Sequence, residues 1–373
     1  MTARPRRRGG AGLVTRLLAD PRFHRIADRL PLGRGIARRD GAAIFDLVQG
    51  FVQAQVLSAL VELGILRDLL DLGARSPADI ARGTGIAPDR MAHLLQAGAA
   101  LGLLRRHRDG RFGLARRGAA LLGVPGLEAM IRHHRAFYAD MADPVALLRG
   151  EGETELANFW PYVFGARGEI APEVAERYSD LMAQSQELVA GDLLRMVSLR
   201  GVSRLMDVGG GSGAFLAAVA RRYPKLDLRL FDLPEVRGEA QRRLAQAGLE
   251  DRIELCAGSF RSDALPEGAD AISLVRVLYD HEDATVRDLL AKCHAALPAG
   301  GRLIVAEPMS GGARPERAGD VYFSFYTMAM GTGRVRSAET IAELCREAGF
   351  GQVRIPRPRR AFITSALTCI KPG

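Results

Sequence analysis

The stretch Leu205-Met206-Asp207-Val208-Gly209-Gly210-Gly211-Ser212-Gly213-Ala214-Phe215 decides how this chain is read. A short apolar run carries an acid near its end, and a glycine-rich turn follows. An apolar face then continues through Leu216, Val219 and Ala220 at helical spacing. Glycine lets the backbone turn sharply and come close to a ligand. The helix start beyond offers free N–H groups and a partial positive charge, which suit a carboxylate or phosphate.

Gly209, Gly211 and Ala214 formally meet the dinucleotide pattern Gly-x-Gly-x-x-Gly/Ala, so nicotinamide binding is a competing reading. Asp207, two residues before the first glycine, argues against it. A carboxylate there would face a cation rather than a pyrophosphate, and S-adenosyl-L-methionine carries an ammonium and a sulfonium. Asp232 closes the next predicted strand, 19 residues after Gly213, where it can accept hydrogen bonds from both ribose hydroxyls. A plain strand–helix joint would not need five small residues in a row.

Strands are predicted at 204–208, 227–231, 253–257, 269–275 and 301–307, with helices between them. That is the alternation of a doubly wound parallel α/β sheet. The end of the chain, from Val353 to Ile370, reads as a closing hairpin. An antiparallel last strand beside a parallel sheet favours a methyltransferase over a nicotinamide-binding domain.

Upstream the pattern is helical. Val56, Leu57, Leu60, Val61 and Ile65 recur at helix period and predict one helix over 54–69. Ser76-Pro77 is an N-cap followed by a first-turn proline. A helix over 88–104 and a hairpin turning at Asp109-Gly110 complete a winged-helix order. The helix that would read DNA is mostly Leu, Ala, Gly, Met and Gln, so no nucleic-acid partner is expected, and an interface role fits better. Between 121 and 200, His133, His134, Phe137, Tyr138, Met141, Phe159, Trp160, Tyr162 and Phe164 form either plain core or the wall of an apolar pocket.

With 373 residues, two or three domains are expected. The divisions fall as a basic arm over 1–40, a winged-helix-like region over 41–120, a helical region over 121–200 and the α/β domain over 201–373. The net charge of +9 belongs to the arm, whose eleven arginines face three aspartates for +8, leaving +1 elsewhere. Leu13, Val14, Leu17 and Leu18 sit at helical spacing inside it. A basic amphipathic helix suits an anionic membrane surface, and a solvated tail or a nucleic-acid arm are the other readings. No run of 18 apolar residues exists, so no transmembrane helix is expected. Cys256, Cys293, Cys345 and Cys369 lack metal-type spacing and read as reduced and buried. A cytoplasmic, membrane-associated protein with no metal is expected.

The Asp-x-Gly-x-Gly-x-Gly motif with its following acid resembles that of class I methyltransferases. From about Phe45 to Lys371 the chain resembles the plant-type O-methyltransferases and their bacterial relatives. The resemblance is sharpest in Asp-Ala-Ile-Ser-Leu-Val-Arg-Val-Leu-Tyr-Asp-His (270–281) and Gly-Gly-Arg-Leu-Ile-Val-Ala-Glu-Pro-Met-Ser-Gly-Gly (300–312). Those segments look like the hydroxyneurosporene/demethylspheroidene group, which methylates the tertiary 1-hydroxyl of acyclic carotenoids. The bacteriochlorophyllide methyltransferases look more distant. The resemblance implies a homodimer with a winged-helix dimerisation domain and a Rossmann-like methyltransferase sheet. It also implies an S-adenosyl-L-methionine site from Asp207, Gly209, Gly211, Gly213, Asp232, Leu233, Ser259, Phe260 and Arg276.

One departure matters. Phenol-methylating relatives carry a His-Asp pair after the fourth strand, with the histidine as base. Here Tyr279 holds that position, Asp280 follows, and His281 comes next. Tyrosine is a poor base at its reference pKa of roughly 10, whereas histidine titrates near neutrality. The expected arrangement is that Tyr279 holds the acceptor hydroxyl and that His281 or Glu307 takes its proton. Glu307 matches the family's base-orienting acid, and Val335 replaces its second acid. A hydrophobic small-molecule acceptor would meet His134, Phe137, Trp160, Phe325 and Met328. The alternatives are a bacteriochlorophyllide, polyketide or phenolic acceptor, or a winged-helix regulator that keeps a cofactor domain.

Overall fold

The computed structural model describes residues 12–20, 22–23, 31–159 and 185–373. Trp160, Tyr162, Phe164 and residues 1–11, 21 and 24–30 of the arm lie outside the described residues. The chain divides into two compact units, Met1–Ala120 and Leu121–Gly373. The described residues of 121–200 fall in the same unit as the α/β domain.

In the first unit, a helix over Pro31–Glu62 runs straight through the division expected at residue 40. The single helix expected over 54–69 is broken, because Gly64 takes φ +68° and a new helix starts at Ile65. Helices Ile65–Leu72, Pro77–Ala81 and Pro88–Ala100 precede strands β1 (Leu104–Arg106) and β2 (Phe112–Leu114). These pair antiparallel, and Arg75 bridges to Phe112 at the hairpin's side. Gly98 lets Pro88–Ala100 approach the long helix: a Cβ there would lie 2.9 Å from Leu60 Cδ1. Leu60, Val61, Ile65, Leu66, Met91, Leu95 and Leu104 are buried in this unit.

The middle of the long helix is different. Ile44, Phe45, Leu47, Val48, Phe51 and Val52 are all exposed. The segment Arg38–Glu62 is also long and apolar enough to cross a membrane, with a mean hydropathy of 1.5. It does so by length and composition alone, and no uninterrupted run of 18 apolar residues exists in it. Scattered Gly, Gln and Ser interrupt the apolar run without making the stretch polar.

In the second unit, strands β3 (Arg204–Val208), β4 (Asp227–Asp232), β5 (Ile253–Ala257), β6 (Ala271–Val275), β7 (Arg302–Glu307), β8 (Gly351–Arg354) and β9 (Ser365–Ile370) form one sheet. Their order is β5-β4-β3-β6-β7-β9-β8. The first five are parallel, and β9 runs antiparallel to both β7 and β8. Central strands of a doubly covered sheet are apolar throughout, and all five residues of β6 are buried. One apolar layer lies on each face: Ile272, Leu289 and Ile341 belong to one, Leu205, Leu216 and Leu193 to the other. Strand order reverses between β3 and β6, and ligands of such sheets bind outside the carboxyl ends at that switch point. Cys293, Cys345 and Cys369 are buried, but Cys256 is only half-buried because β5 is an edge strand.

Candidate active site

Two groups of residues meet the carboxyl edge of the sheet. The first is the glycine turn between β3 and the helix Ala214–Arg222. Gly209, Gly211 and Gly213 all have φ between 59° and 77°, a region that costs other residues strain. Gly210 is fixed by space instead: a Cβ there would lie 2.4 Å from both Asp207 Oδ2 and Leu230 Cδ1. A Cβ on Gly211 would project into open space, so the turn leaves an uncovered ledge of backbone.

Asp207 lies wholly beneath this ledge. Its Oδ1 accepts from Ser273 Oγ at 2.5 Å, which explains the one hydroxyl in the apolar strand β6. Its Oδ2 has no hydrogen-bond partner among the described residues. Burial pushes the carboxyl up to about 7, against the Ser273 hydrogen bond. Asp232 accepts from the Gly211 N–H at 2.6 Å and from the Leu233 N–H at 2.7 Å, so it also locks the turn. Burial raises its pKa. Gly211, Asp232, Leu233, Val236 and Arg237 line a shallow, open cleft. Ser259 donates its N–H to Asp263, and Phe260 packs half-buried against the core.

The second group follows β6. Arg276 takes φ +59°, rare for a residue with a side chain. Its guanidinium donates to Tyr279 Oη at 3.2 Å and to Ser185 Oγ at 2.8 Å. Arg276, expected among the cofactor residues, is held by Tyr279 and Ser185. Tyr279 is buried, its N–H donates to Glu307 Oε2 at 3.2 Å, and burial holds its hydroxyl well above the usual tyrosine range despite Arg276. Glu307 therefore fixes a backbone turn rather than orienting a basic side chain. Burial pushes Glu307 up to about 8, and its Oε1 is unpartnered.

His281 is not placed to act as the base. It is buried, its ring packs edge-on to Phe260 at 5.3 Å, and its Nδ1 lies 3.2 Å from Arg261 Nη2. Burial, with Arg261 and Arg336 adding to it, pushes its pKa down to about 3. Asp280, which residue type alone does not single out as a catalytic group, is a carboxyl in the same turn. Burial raises its carboxyl to about 7 against the pull of Arg276, and its Oδ1 has no partner. A base poised near neutrality is the efficient kind. The spacing carries a signal for it, since Asp280 stands where the resemblance puts the aspartate of the His-Asp pair while Tyr279 takes the histidine's place.

A clamp holds this turn. Arg336 donates to Asp283 and to the carbonyls of Leu278 and His281, and the Arg334 N–H donates to the Tyr279 carbonyl. Val335, where the family's second acid is missing, sits between these two arginines. Burying a guanidinium is tolerated when all its donors are used.

A separate aromatic cluster lies in the same unit. His134 Nε2 is 2.5 Å from Tyr322 Oη, and His133 Nε2 is 2.8 Å from Tyr326 Oη. The two tyrosines stack at 5.8 Å, and Phe137 packs edge-on to both. Phe325 and Met328 are half-buried against the same cluster. Burial pushes His133 down to about 4, with His134 adding to it, so it is neutral near pH 7. Burial raises the Tyr322 hydroxyl against the pull of Arg276. Tyr322 and Arg336 are residues of these two groups that the sequence alone does not reveal.

The sheet order, the acid-glycine turn and the second acid after β4 define a class I methyltransferase. Similarity to known proteins carries this further. An O-methyltransferase domain matches residues 138–351 and an O-methyltransferase dimerisation domain matches 45–123. The chain belongs to this O-methyltransferase family. It is 59% identical to the demethylspheroidene O-methyltransferase of Cereibacter sphaeroides, covering 99% of this chain and 98% of the relative. The Rhodobacter capsulatus enzyme of the same name is 54% identical, covering 98% and 91%. Among solved structures, a methyltransferase of calicheamicin biosynthesis in its SAH-bound form aligns with a TM-score of 0.74 at 26% identity, covering 90% and 98%. The dimerisation match contains the exposed apolar face of Pro31–Glu62 and supports a homodimer.

Proposed function

We propose that this O-methyltransferase methylates the tertiary 1-hydroxyl of an acyclic hydroxycarotenoid. The methyl donor is S-adenosyl-L-methionine, which when bound supplies an electrophilic methyl on a good leaving group. Asp207 and the Gly209–Gly213 turn would hold it, with Asp232 at the ribose and Phe260 at the adenine. The unpaired buried oxygen of Asp207 and the open ledge over Gly211 fit a cationic, ribose-bearing ligand.

The observation that carries the acceptor reading is Tyr279 bound to Arg276 where a phenol-methylating site places histidine. An aliphatic alcohol is far less acidic than a phenol, so its proton leaves late, as the new bond forms. In the proposed mechanism the Tyr279 hydroxyl, polarised by Arg276, holds the acceptor oxygen in line. Asp280 takes the proton. Alignment of this kind is worth several orders of magnitude in rate. Phe137, Tyr322, Tyr326, Phe325 and Met328 provide an apolar wall for a polyene, and the names of the two relatives support that acceptor.

The arginine-rich arm is proposed to rest on the cytoplasmic face of an anionic membrane, where such an acceptor dissolves. The assay is transfer of labelled methyl to three acceptors in micelles: a 1-hydroxylated acyclic carotenoid, a bacteriochlorophyllide and a catechol. Label is expected in the carotenoid alone. Label in another acceptor, with none in the carotenoid, would sink the acceptor assignment while leaving the reaction class intact.

A further inference from the structure

The connection between β8 and β9 has a use that neither the fold nor the catalytic chemistry requires. It reads Ile355-Pro356-Arg357-Pro358-Arg359-Arg360-Ala361-Phe362-Ile363-Thr364. Ser365 pairs with Glu307, the last residue of β7, so this connection emerges at the carboxyl edge that carries the active site.

Its conformation follows from the sequence. Prolines at 356 and 358 fix their own φ and drive the residues before them to extended backbone. Side chains of an extended segment alternate in direction. Ile355, Arg357 and Arg359 are exposed, while Pro356, Pro358 and Arg360 are partly covered. Arg360 is the anchor: it grips the buried Asp192 through Nε at 2.8 Å and Nη2 at 2.9 Å. Asp192 lies on the helix over 185–196, which also carries Ser185, the partner of Arg276. The connection is thus tied to the same support as the catalytic turn.

The outward face is Ile355, Arg357, Arg359 and Phe362, with Arg354 beside it and no acid between 354 and 364. Phe362 is 63% exposed and Ile355 is 47% exposed. None of Arg354, Arg357 and Arg359 has a carboxylate partner among the described residues. Edge strands often carry a basic residue to block pairing with another sheet, which accounts for Arg354. Arg357, Arg359 and Phe362 lie beyond the ladder, and edge protection leaves them unexplained.

We propose that this segment docks the catalytic unit onto an anionic lipid bilayer, with Phe362 and Ile355 entering the headgroup boundary and the three arginines meeting lipid phosphates. Charge complementarity selects the occupant: unpaired cations flanking exposed apolar side chains match an anionic interface. The contact is separate from the arm and does not depend on which acceptor is methylated.

The experiment uses the full chain with vesicles of phosphatidylcholine alone or with phosphatidylglycerol added, read by co-sedimentation. Each cation near an anionic surface changes partitioning about five-fold, so Arg354→Gln/Arg357→Gln/Arg359→Gln should weaken binding on the order of a hundred-fold. Phe362→Ser should weaken it less, and on both vesicle types. Unchanged S-adenosyl-L-methionine affinity and melting temperature report that the variants fold. In a second reading, the indole introduced by Phe362→Trp should be quenched by brominated lipids. Loop variants that sediment like the wild type, or a Phe362→Trp variant whose fluorescence at that position escapes quenching, would overturn the proposal. If instead neutralising Arg4, Arg6, Arg7 and Arg8 alone abolishes binding, the arm reading stands and this one falls. Loop-dependent binding of a nucleic acid or an acidic protein, with none to vesicles, would also overturn it.

Discussion

The glycine turn after β3 and the Tyr279 turn after β6 leave neighbouring strands of one sheet, yet they are built on opposite principles. The first is set by backbone: Gly210 cannot carry a Cβ, three further glycines hold positive φ, and both acids hydrogen-bond or underlie the turn. The second is set by side chains, which hold one another through Arg276, Ser185, Asp283 and Arg336. A backbone-built site tolerates almost no change and is recognisable wherever it occurs. A side-chain-built site can exchange one group for another and keep its shape, which is how a tyrosine stands where a histidine is expected.

That contrast can be broken by substitution. The largest effect expected is on kcat in Asp280→Asn, about 100-fold or more, since a positioned base contributes about 10²–10⁴. Steady-state rates at saturating donor measure it. Gly210→Ala comes next: the clash with Asp207 and Leu230 should cost about 2 kcal/mol of stability and most of the cofactor affinity, read by calorimetry. Gly211→Ala should cost only about 1 kcal/mol of backbone strain. Equal losses in the two variants would show that the turn is not held by packing beneath Gly210.

Tyr279→Phe removes one hydrogen bond to the acceptor and should lower kcat about ten-fold. His281→Phe should change kcat less than about three-fold, because a base mispositioned against Phe260 contributes none of the general-base factor. A collapse of kcat in His281→Phe would return the proton to the histidine.

Stability should follow pH in a defined sense. Asp207, Asp280 and Glu307 have native pKa values raised by burial to between about 7 and 8, against ordinary values of 3.8 and 4.5. The native state therefore binds more protons than the unfolded chain across that window, and stability falls as pH rises through it. Thermal melts of the free enzyme should drop as pH rises from about 6.5 to 8; below that range His133 and His281, whose pKa values burial depresses to about 4 and about 3, oppose the carboxylates. Donor binding should flatten that dependence, because a cation beside Asp207 favours its charged form. A melting temperature that rises with pH over this range would contradict the burial of these carboxylates.

The backbone-built half is legible in the sequence because glycine and acid spacing is itself the site. Asp207, Asp232 and the alternating strands can be assigned from residue types alone. The side-chain-built half is only partly legible. His133 and His134 lie about 190 residues from Tyr326 and Tyr322 in the chain and meet them only through tertiary packing. His281 titrates near neutrality in water, so sequence reasoning favours it, but burial against Phe260 and Arg261 removes that property. Burial does the reverse for Asp280, lifting an ordinary acid into the working range of a base. The break at Gly64 is hidden in the sequence because the apolar period continues across it, while the left-handed turn depends on one residue.

The most direct test is the pH dependence of single-turnover methyl transfer in the wild type, Asp280→Asn and His281→Phe, with the same micellar acceptor. In the wild type and in His281→Phe, the rate should fall as pH drops through about 7 and the Asp280 carboxyl takes up a proton. In Asp280→Asn that limb should vanish. A limb that persists in Asp280→Asn and disappears in His281→Phe would contradict the assignment of the proton to Asp280.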